Sequence, residues 1–202
     1  MTPTLDFAAL ILAGGRSSRL GGTPKALLSN GETTLLHQAL ESARQATATV
    51  VVGPSTLPVP AKVLLTREDP PFSGPAAGIS AGLDALASAH LHPQWVLLLA
   101  VDMPGCAPAV QTLLNAVSRA SSATQGFMGV SAGIQQPLAG IYRYQPLQEV
   151  FSQDTANQSV RKFLNQLSPL PCELPDHSTA DVDTWDAARE LGFTRPTTPT
   201  TD

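Results

Sequence analysis

An apolar strand that breaks directly into a glycine-rich, basic loop is the feature that most constrains the fold of this chain. Residues 7–12 are apolar throughout, as expected of a strand buried on both faces of a parallel sheet. The following loop, residues 13–25, reads AGGRSSRLGGTPK. It leaves from the carboxyl end of the strand, where open α/β sheets place their ligands. The pattern therefore predicts an α/β fold with a ligand site at this sheet edge.

The composition of this loop favours a phosphate-rich ligand. The glycines between residues 14 and 22 carry no Cβ, so backbone N–H groups can approach phosphate oxygens closely. Arg16, Arg19 and Lys25 add positive charge to the same loop. A flexible surface loop is the alternative, but it leaves these cations and glycines behind a buried strand unexplained. We therefore predict that the loop holds a nucleoside triphosphate.

Spacing rules out two familiar phosphate-binding loops. The Rossmann fingerprint is spaced GxGxxG, whereas Gly14 and Gly15 are adjacent. The Walker loop ends in Gly-Lys-Ser/Thr, whereas Lys25 lies between a proline and an alanine, so no hydroxyl follows it to bind Mg²⁺. The loop is therefore of another kind.

Apolar strands and amphipathic helices alternate along most of the chain, which predicts a parallel or mostly parallel sheet. The most apolar run, residues 95–101, is expected to be the central strand. Residues 136–142 are predicted as a strand with Pro137 at its start, and an ordinary edge strand is one interpretation of it. The predicted helices are 33–46, 76–89, 108–120, 145–152 and 159–166, and the other predicted strands are 50–52, 62–66 and 127–130.

The loop resembles the opening motif of nucleotidyltransferases, LA(A/G)GxxxR(M/L)GxxK, and most closely that of the molybdenum cofactor guanylyltransferases. The run from Leu12 to Gly15 has the LAGG form of that branch, and the Gly21-Gly22 pair stands before Lys25 as it does there. The resemblance extends over about residues 7–192. It implies a single-domain, three-layer Rossmann-like fold for residues 1–192, and we expect the threonine- and proline-rich tail, 193–202, to be disordered.

Asp102 follows the most apolar strand, so its carboxylate is expected at the same sheet edge as the loop. Mg²⁺ takes one or two protein carboxylates together with substrate phosphates and waters. The alternative is a helix N-cap, a position that aspartate favours. The stretch resembles the family's D-x-P motif, whose aspartate binds the metal.

A last helix is predicted to begin at Asp181 and Asp183, since acidic residues are favoured at the positive end of the helix dipole. The family has an NxNTP or DxDTP stretch here, and its last polar residue can lie near the metal. Asp183 thus resembles a second metal ligand, although Trp185 replaces the proline. Aspartates rather than asparagines are more typical of the cytidylyltransferase relatives.

Recognition of the base is expected near residues 66–69, which align with a family segment whose aspartate contacts guanine. A carboxylate can accept from both N1–H and the 2-amino group of guanine, and an ordinary loop is the alternative. Gly53 stands where several guanylyltransferases carry asparagine, and residues 73–79 resemble the family's GPLAG. The residues that the resemblance assigns to the nucleotide are Leu12, Ala13, Gly14, Gly15, Lys25, Asp69, Gly78 and Asp102.

The resemblance implies transfer of GMP from GTP to the terminal phosphate of molybdopterin or its molybdenum-loaded form, with release of pyrophosphate. GTP and molybdopterin would be the substrates, Mg²⁺ the cofactor, and proteins that handle molybdopterin the partners. The acceptor phosphate is already an anion, so catalysis needs positioning and charge neutralisation rather than a general base. Arg19, Lys25 and Asp102 would supply these.

Two other functions stay open at this point. A related small-molecule nucleotidyltransferase, acting with CTP on molybdopterin or on a phospholactate or sugar phosphate, would share every phosphate contact. A nucleotide-binding regulator without turnover is the second alternative. The joint presence of Arg19, Lys25 and Asp102 argues against a regulator, because binding alone does not need the metal carboxylate.

Length and charge limit the remaining possibilities. A chain of 202 residues fits one domain, and its net charge of −4 provides no overall basic field for nucleic acid or an anionic membrane. The first residues lack the features of a leader peptide, and no apolar run reaches the length of a membrane span. Two distant cysteines suit a reducing compartment. We therefore expect a cytoplasmic protein with neither nucleic acid nor a membrane as partner.

Overall fold

A seven-stranded, mostly parallel sheet forms the centre of the fold. The computed structural model describes residues 5–195. The strand order is β3-β2-β1-β4-β6-β5-β7, and within this sheet only β6 runs against its neighbours. The predicted α/β class is thus confirmed. The strands are β1 (Phe7–Leu12), β2 (Ala48–Val52), β3 (Leu64–Thr66), β4 (Trp95–Ala100), β5 (Gly126–Ser131), β6 (Ile134–Arg143) and β7 (Leu170–Glu173).

Helices cover both faces of the sheet and so produce three layers. One face packs against α1 and α3, and the other against α2, α4 and α5. Successive residues of β1 alternate between these layers, with Leu10 on the α2 side and Ile11 on the α1 side. Continuous apolar runs are therefore explained by burial on both faces. The helices are α1 (Leu35–Ser42), α2 (Pro75–Ser88), α3 (Cys106–Val117), α4 (Tyr144–Phe151), α5 (Val160–Leu164) and α6 (Trp185–Glu190).

Strand β4 occupies the fourth of seven positions in the sheet, so the prediction that the most apolar run is central is confirmed. Strand β6 is also internal, between β4 and β5, so the edge-strand interpretation of residues 136–142 is wrong. Pro137 is tolerated inside β6 because the pairing with β5 shifts register between Met128 and Gly129. The partners around the shift are Gly140 and Gln136, which leaves Pro137 outside this ladder.

Several predicted boundaries differ from the observed ones by a few residues. The first helix begins at Leu35 rather than at residue 33 because the Thr34 side chain accepts a hydrogen bond from His37 N at 3.2 Å and caps the helix. Helix α3 begins before Pro108, which lies in the first turn, where no N–H is needed. Strand β7 was not predicted, since its four residues include a proline and are mostly exposed.

A separate group of apolar side chains lies beside the glycine-rich loop, away from the two faces of the sheet. We call it the satellite cluster, and the partly buried side chain of Trp185 packs against it. The cluster joins the loop, the start of α1 and the chain around α6. Its buried members are Leu20, Leu28, Leu35, Val182, Ala188 and Phe193.

The ordered chain extends past the predicted domain boundary at residue 192. Phe193 is buried in the satellite cluster, and Thr194 N donates to Ser29 O at 2.8 Å. The first residues of the predicted tail thus contact the domain, and residues 196–202 of it lie outside the described residues. Within residues 5–195, the structure has no helix long and apolar enough to cross a membrane.

Candidate nucleotide-binding site

A cavity of about 520 Å³ opens at the carboxyl ends of β1, β2 and β4. The loop after β1 forms one wall, and the start of α2 forms another. Its position at this edge agrees with the ligand site predicted from the sequence. Among its lining residues are Leu12, Gly14, Gly15, Arg16, Arg19, Lys25, Glu68, Phe72, Gly78, Asp102, Leu138 and Asp183.

The glycine-rich loop presents unused hydrogen-bond donors to this cavity. It turns on itself, with Gly22 N and Leu20 N both donating to Ser17 O at 3.0 and 2.9 Å. Gly15 has a φ of 122°, which a residue with a Cβ rarely adopts. Within the described chain, the N–H groups of residues 14–17 have no hydrogen-bond partner. Such a group of free amides is suited to an anion.

Lys25 is held by two carboxylates at the floor of the cavity. Its Nζ donates to Asp102 Oδ2 at 2.7 Å and also to Asp183 Oδ1. Arg19 Nη1 lies 3.6 Å from Asp183 Oδ2. Burial alone would lower the pKa of Lys25, but attraction to Asp102 and Asp183 outweighs it and raises the pKa above its ordinary value. Lys25 is therefore an ammonium ion throughout the physiological range.

The two aspartates meet because the chain before α6 docks onto the turn after β4. Val182 N donates to Asp102 O at 3.0 Å. Neither aspartate caps a helix, since Gly105 precedes α3 and Thr184 precedes α6 with its side chain accepting from Ala187 N. The N-cap alternative for Asp102 is therefore wrong, and Asp183 lies one residue before the N-cap of α6.

The pair of carboxylates fits a hard divalent cation only in part. Carboxylate oxygens are the donors that Mg²⁺ prefers, and Asp102 and Asp183 already share one cation, the Lys25 ammonium. Within residues 5–195 there is no group of three or more His, Cys, Asp or Glu side chains that could hold a metal ion. Further ligands would have to come from phosphate oxygens and water. Asp181 adds negative charge nearby, and its pKa is raised by burial and then by repulsion from Asp183 and Asp102.

A family model described as a MobA-like NTP transferase domain matches residues 9–170 of this chain. The chain belongs to the MobA-like NTP transferase family. The resemblance seen in the sequence is thus confirmed.

Named relatives of this MobA-like chain agree with that assignment. A molybdenum cofactor guanylyltransferase of Bradyrhizobium sp. (strain ORS 278) is 29% identical over 163 residues, which cover 79% of this chain and 76% of the relative. Another, of Serratia proteamaculans (strain 568), is 31% identical over 108 residues, which cover 49% of this chain and only 50% of the relative.

A solved structure extends the comparison to the fold. Molybdopterin-guanine dinucleotide biosynthesis protein A from Archaeoglobus fulgidus superposes with a TM-score of 0.66 over 92% of this chain and 96% of that chain. The two sequences are 17% identical, so the likeness concerns the fold alone. It agrees with the predicted Rossmann-like nucleotidyltransferase fold of this MobA-like chain.

The cavity contains a different carboxylate from the one that the sequence favoured for base recognition. Asp69 is exposed and lines a second cavity, between β3, α2 and the chain after α4. Glu68 is 8% exposed and lines the first cavity, and its Oε1 accepts a hydrogen bond from Phe72 N at 2.9 Å. Glu68, rather than Asp69, is thus the carboxylate beside the loop of the MobA-like chain.

The small residues assigned to the nucleotide have different positions. Gly14, Gly15 and Gly78 line the cavity, whereas Ala13 is buried and donates its N–H to Val52 O at 2.8 Å. A Cβ on Gly53 would lie 2.8 Å from a Leu57 methyl and 3.1 Å from the Ala13 carbonyl oxygen. This backbone therefore has no room for a side chain where several family members carry asparagine.

Phe72 and Leu138 are among the lining side chains to which the sequence assigned no role. Phe72 lies in a loop without periodicity, so no pattern marked it. Leu138 belonged to a predicted strand, but the face that it presents depends on the register shift opposite Pro137.

Proposed function

We propose that this protein transfers GMP from GTP to the terminal phosphate of molybdopterin or its molybdenum-loaded form and releases pyrophosphate. The observation that supports this most directly is the Asp102–Lys25–Asp183 cluster beside a loop with free amides. The two relatives described above, both molybdenum cofactor guanylyltransferases, support the substrate class. Proteins that handle molybdopterin would be its partners, and the cytoplasm its compartment.

The reaction forms a bond between an acceptor phosphate oxygen and the α-phosphorus of GTP, and it breaks the bond between that phosphorus and the bridging oxygen of pyrophosphate. The acceptor oxygen is already ionised at neutral pH, so no side chain has to remove a proton. The residues of this chain act by orienting the two anions and by neutralising their charge. Free amides of residues 14–17 would bind phosphate oxygens, and Arg19 and Lys25 would offset their charge.

Mg²⁺ would be held by Asp102 and Asp183 together with phosphate oxygens, and it would supply charge stabilisation for the phosphates. Lys25 contacts both carboxylates without nucleotide. An ammonium group has three N–H donors, so the third can reach a phosphate oxygen while both contacts are kept.

Glu68 supports the choice of GTP. Its Oε1 accepts the Phe72 N–H, and its Oε2 is directed to the loop, 3.9 Å from a Cβ placed on Gly14. Guanine offers N–H donors at N1 and at its 2-amino group, a pair that adenine and cytosine do not offer to one carboxylate. A nucleotide without them would leave a buried carboxylate poorly paired, which costs roughly 1–3 kcal/mol or more.

Calorimetric titration with GTP, CTP and ATP in the presence of Mg²⁺ tests the nucleotide, and formation of a guanylylated product from molybdopterin tests the acceptor. We expect GTP to bind at least about tenfold more tightly than the other two. Glu68→Gln should narrow that gap, whereas the neighbouring Asp69→Asn should leave it unchanged. Equal or tighter binding of CTP by the wild type would overturn the guanylyltransferase proposal.

The metal assignment has its own test. Asp102→Asn keeps the side-chain shape and removes the charge, so the chain should fold normally but lose Mg²⁺-dependent turnover. Asp176→Asn, at an exposed aspartate outside the cavity lining, is the matched control. A normal metal dependence in Asp102→Asn would remove Asp102 from the metal site.

A further inference from the structure

Phe72 is in an unusual backbone conformation and is unusually exposed. Its φ is 68°, in the left-handed region that a bulky residue seldom enters. Its side chain is 44% exposed, yet it lines the nucleotide cavity. A conformation of this kind persists only where the surroundings fix it, and such residues cluster at functional sites.

The surroundings of Phe72 do fix its backbone. Its N–H is bound by the buried Glu68 carboxylate at 2.9 Å. The next residue, Ser73, is anchored on both sides: its Oγ donates to Pro70 O at 2.6 Å, and its carbonyl accepts from Asn157 N at 2.7 Å. The loop therefore holds the aromatic ring in the cavity wall rather than leaving it free in solvent.

Two guanidinium groups contact the Phe72 ring. Arg67 Cζ lies 4.7 Å from the ring centroid, and Arg16 Cζ lies 5.2 Å from it. Both distances are within the range of cation–π attraction. Arg16 belongs to the glycine-rich loop and Arg67 follows β3, so the ring bridges the two walls of the cavity on this side. A triphosphate in the loop would compete with the ring for Arg16.

The sheet order shows which part of a substrate this ring faces. Phe72 and Glu68 follow β3, at one end of the order β3-β2-β1-β4-β6, whereas Asp102 follows β4 and Leu138 belongs to β6. If the phosphates occupy the loop after β1, a base bound by the Glu68 carboxylate lies toward β3, which leaves the β6 side of the cavity for the acceptor. The exposed ring stands next to the carboxylate that would bind the edge of the base.

We propose that Phe72 is the stacking surface for the base of the bound nucleotide, with Glu68 binding the base edge. This inference rests on the proposed nucleotide site and adds a division of roles within it. Every base has a π face, so stacking strengthens binding of all bases, whereas hydrogen bonds at the edge distinguish them. Phe72 therefore determines affinity, and Glu68 determines the preference among bases.

The test measures the dissociation constants of GTP, ATP and inorganic tripolyphosphate, each with Mg²⁺, by calorimetry. Phe72→Ala should weaken binding of both GTP and ATP by roughly ten- to a hundred-fold and keep the ratio of their dissociation constants. Binding of tripolyphosphate should not weaken, because loss of the ring releases Arg16. Phe72→Tyr keeps an aromatic ring and should bind GTP and ATP with the same dissociation constants as the wild type. Ile134→Ala, at another exposed apolar residue far from the cavity lining, is the matched control. Phe72→Gly serves if the alanine variant folds poorly, since glycine adopts a positive φ without strain.

A fluorescence measurement tests the stacking role of position 72 without relying on binding affinity. In Phe72→Trp, nucleotide binding should quench the new indole fluorescence, measured against the wild-type background of Trp95 and Trp185, whereas tripolyphosphate should not. Unchanged GTP affinity in Phe72→Ala, or an equal loss of tripolyphosphate affinity, would overturn the stacking role. A wild type that prefers CTP would refute only the guanylyltransferase proposal, provided that Phe72→Ala still weakens CTP. A wild type that binds no nucleotide more tightly than tripolyphosphate would overturn both.

Discussion

Asp102 and Asp183 both pair with Lys25, but two different parts of the molecule hold the two aspartates. Asp102 follows the central strand β4, between Val101 and Met103, which are buried in the main core. Asp183 depends on the satellite cluster, through its neighbour Val182. Lys25 lies where the two regions meet, since its neighbour Ala26 is buried in the main core, whereas Leu20 and Leu28 belong to the satellite cluster.

The region that contributes most to the stability of the fold is therefore not the region that positions Asp183. The two large core clusters fill the space between the sheet and the helices, whereas the satellite cluster has six buried members among residues 5–195. Regions with few buried apolar contacts open at lower free energy than the core of the domain. We therefore expect the Asp102 carboxylate, which follows β4, to be rigid and Asp183 to be the more adjustable of the two, with Lys25 between the two regions.

The largest expected effect is on the sheet side. Leu98 in β4 is fully buried, and Leu98→Ala should lower the free energy of unfolding by about 2–5 kcal/mol because it leaves a cavity. Thermal or urea unfolding measures this change. GTP affinity of the folded fraction should stay the same. A large loss of GTP affinity with little loss of stability in Leu98→Ala would contradict the assignment of stability to the sheet side.

Phe193→Ala makes the corresponding change in the satellite cluster. The lost stability should appear mainly as local opening of the satellite cluster. Amide exchange in residues 19–28 and 182–193 should therefore accelerate by roughly ten- to a hundred-fold, while the amides of β1 and β4 keep their protection. GTP binding should weaken at the same time. Hydrogen exchange read by NMR or mass spectrometry measures both regions, and uniform acceleration across the sheet would show that the cluster is part of the global core.

Lys25→Ala removes the charge but little packing. Loss of a charge-assisted contact to phosphate should lower kcat/KM by roughly ten- to more than a hundred-fold, equivalent to about 1.5–3 kcal/mol. Steady-state kinetics with GTP measures it, and Lys62→Ala, at an exposed lysine outside the cavity lining, is the control. Turnover equal to that of the control would exclude the loop from the mechanism.

Asp181→Asn should have the smallest effect. The pKa of Asp181 is raised in the folded chain, so its ionised form is disfavoured there and destabilises the fold once the pH exceeds the ordinary value of 3.8. The variant should therefore melt about 1–2 °C higher, or less, near neutral pH. The gain should vanish in acid, where the carboxyl is protonated in both states. Calorimetric melting over a pH series checks this sign.

The sequence predicted the sheet side of the site better than the satellite side. Strand β1, the loop after it and Asp102 follow from continuous apolar runs, whose burial on both faces leaves few alternatives. The satellite cluster draws on residues from 20 to 193, with no periodicity that connects them. Its existence depends on the docking of Val182 onto Asp102, a long-range contact that local patterns do not encode.

The sequence did not distinguish Glu68 from Asp69, because the two carboxylates are adjacent and both follow β3. In the structure, Glu68 is buried and lines the nucleotide cavity, whereas Asp69 is exposed and lies outside the lining of that cavity.

The contact between Lys25 and Asp183 joins positions 158 residues apart. Contacts between such distant positions form late, because the entropy of closing a long loop has to be overcome before they contribute. During synthesis on the ribosome, β1, β4 and Asp102 are available long before Asp183 leaves the exit tunnel. The nucleotide site is thus completed only when nearly all of the chain has folded, so GTP binding would report the end of folding rather than its beginning.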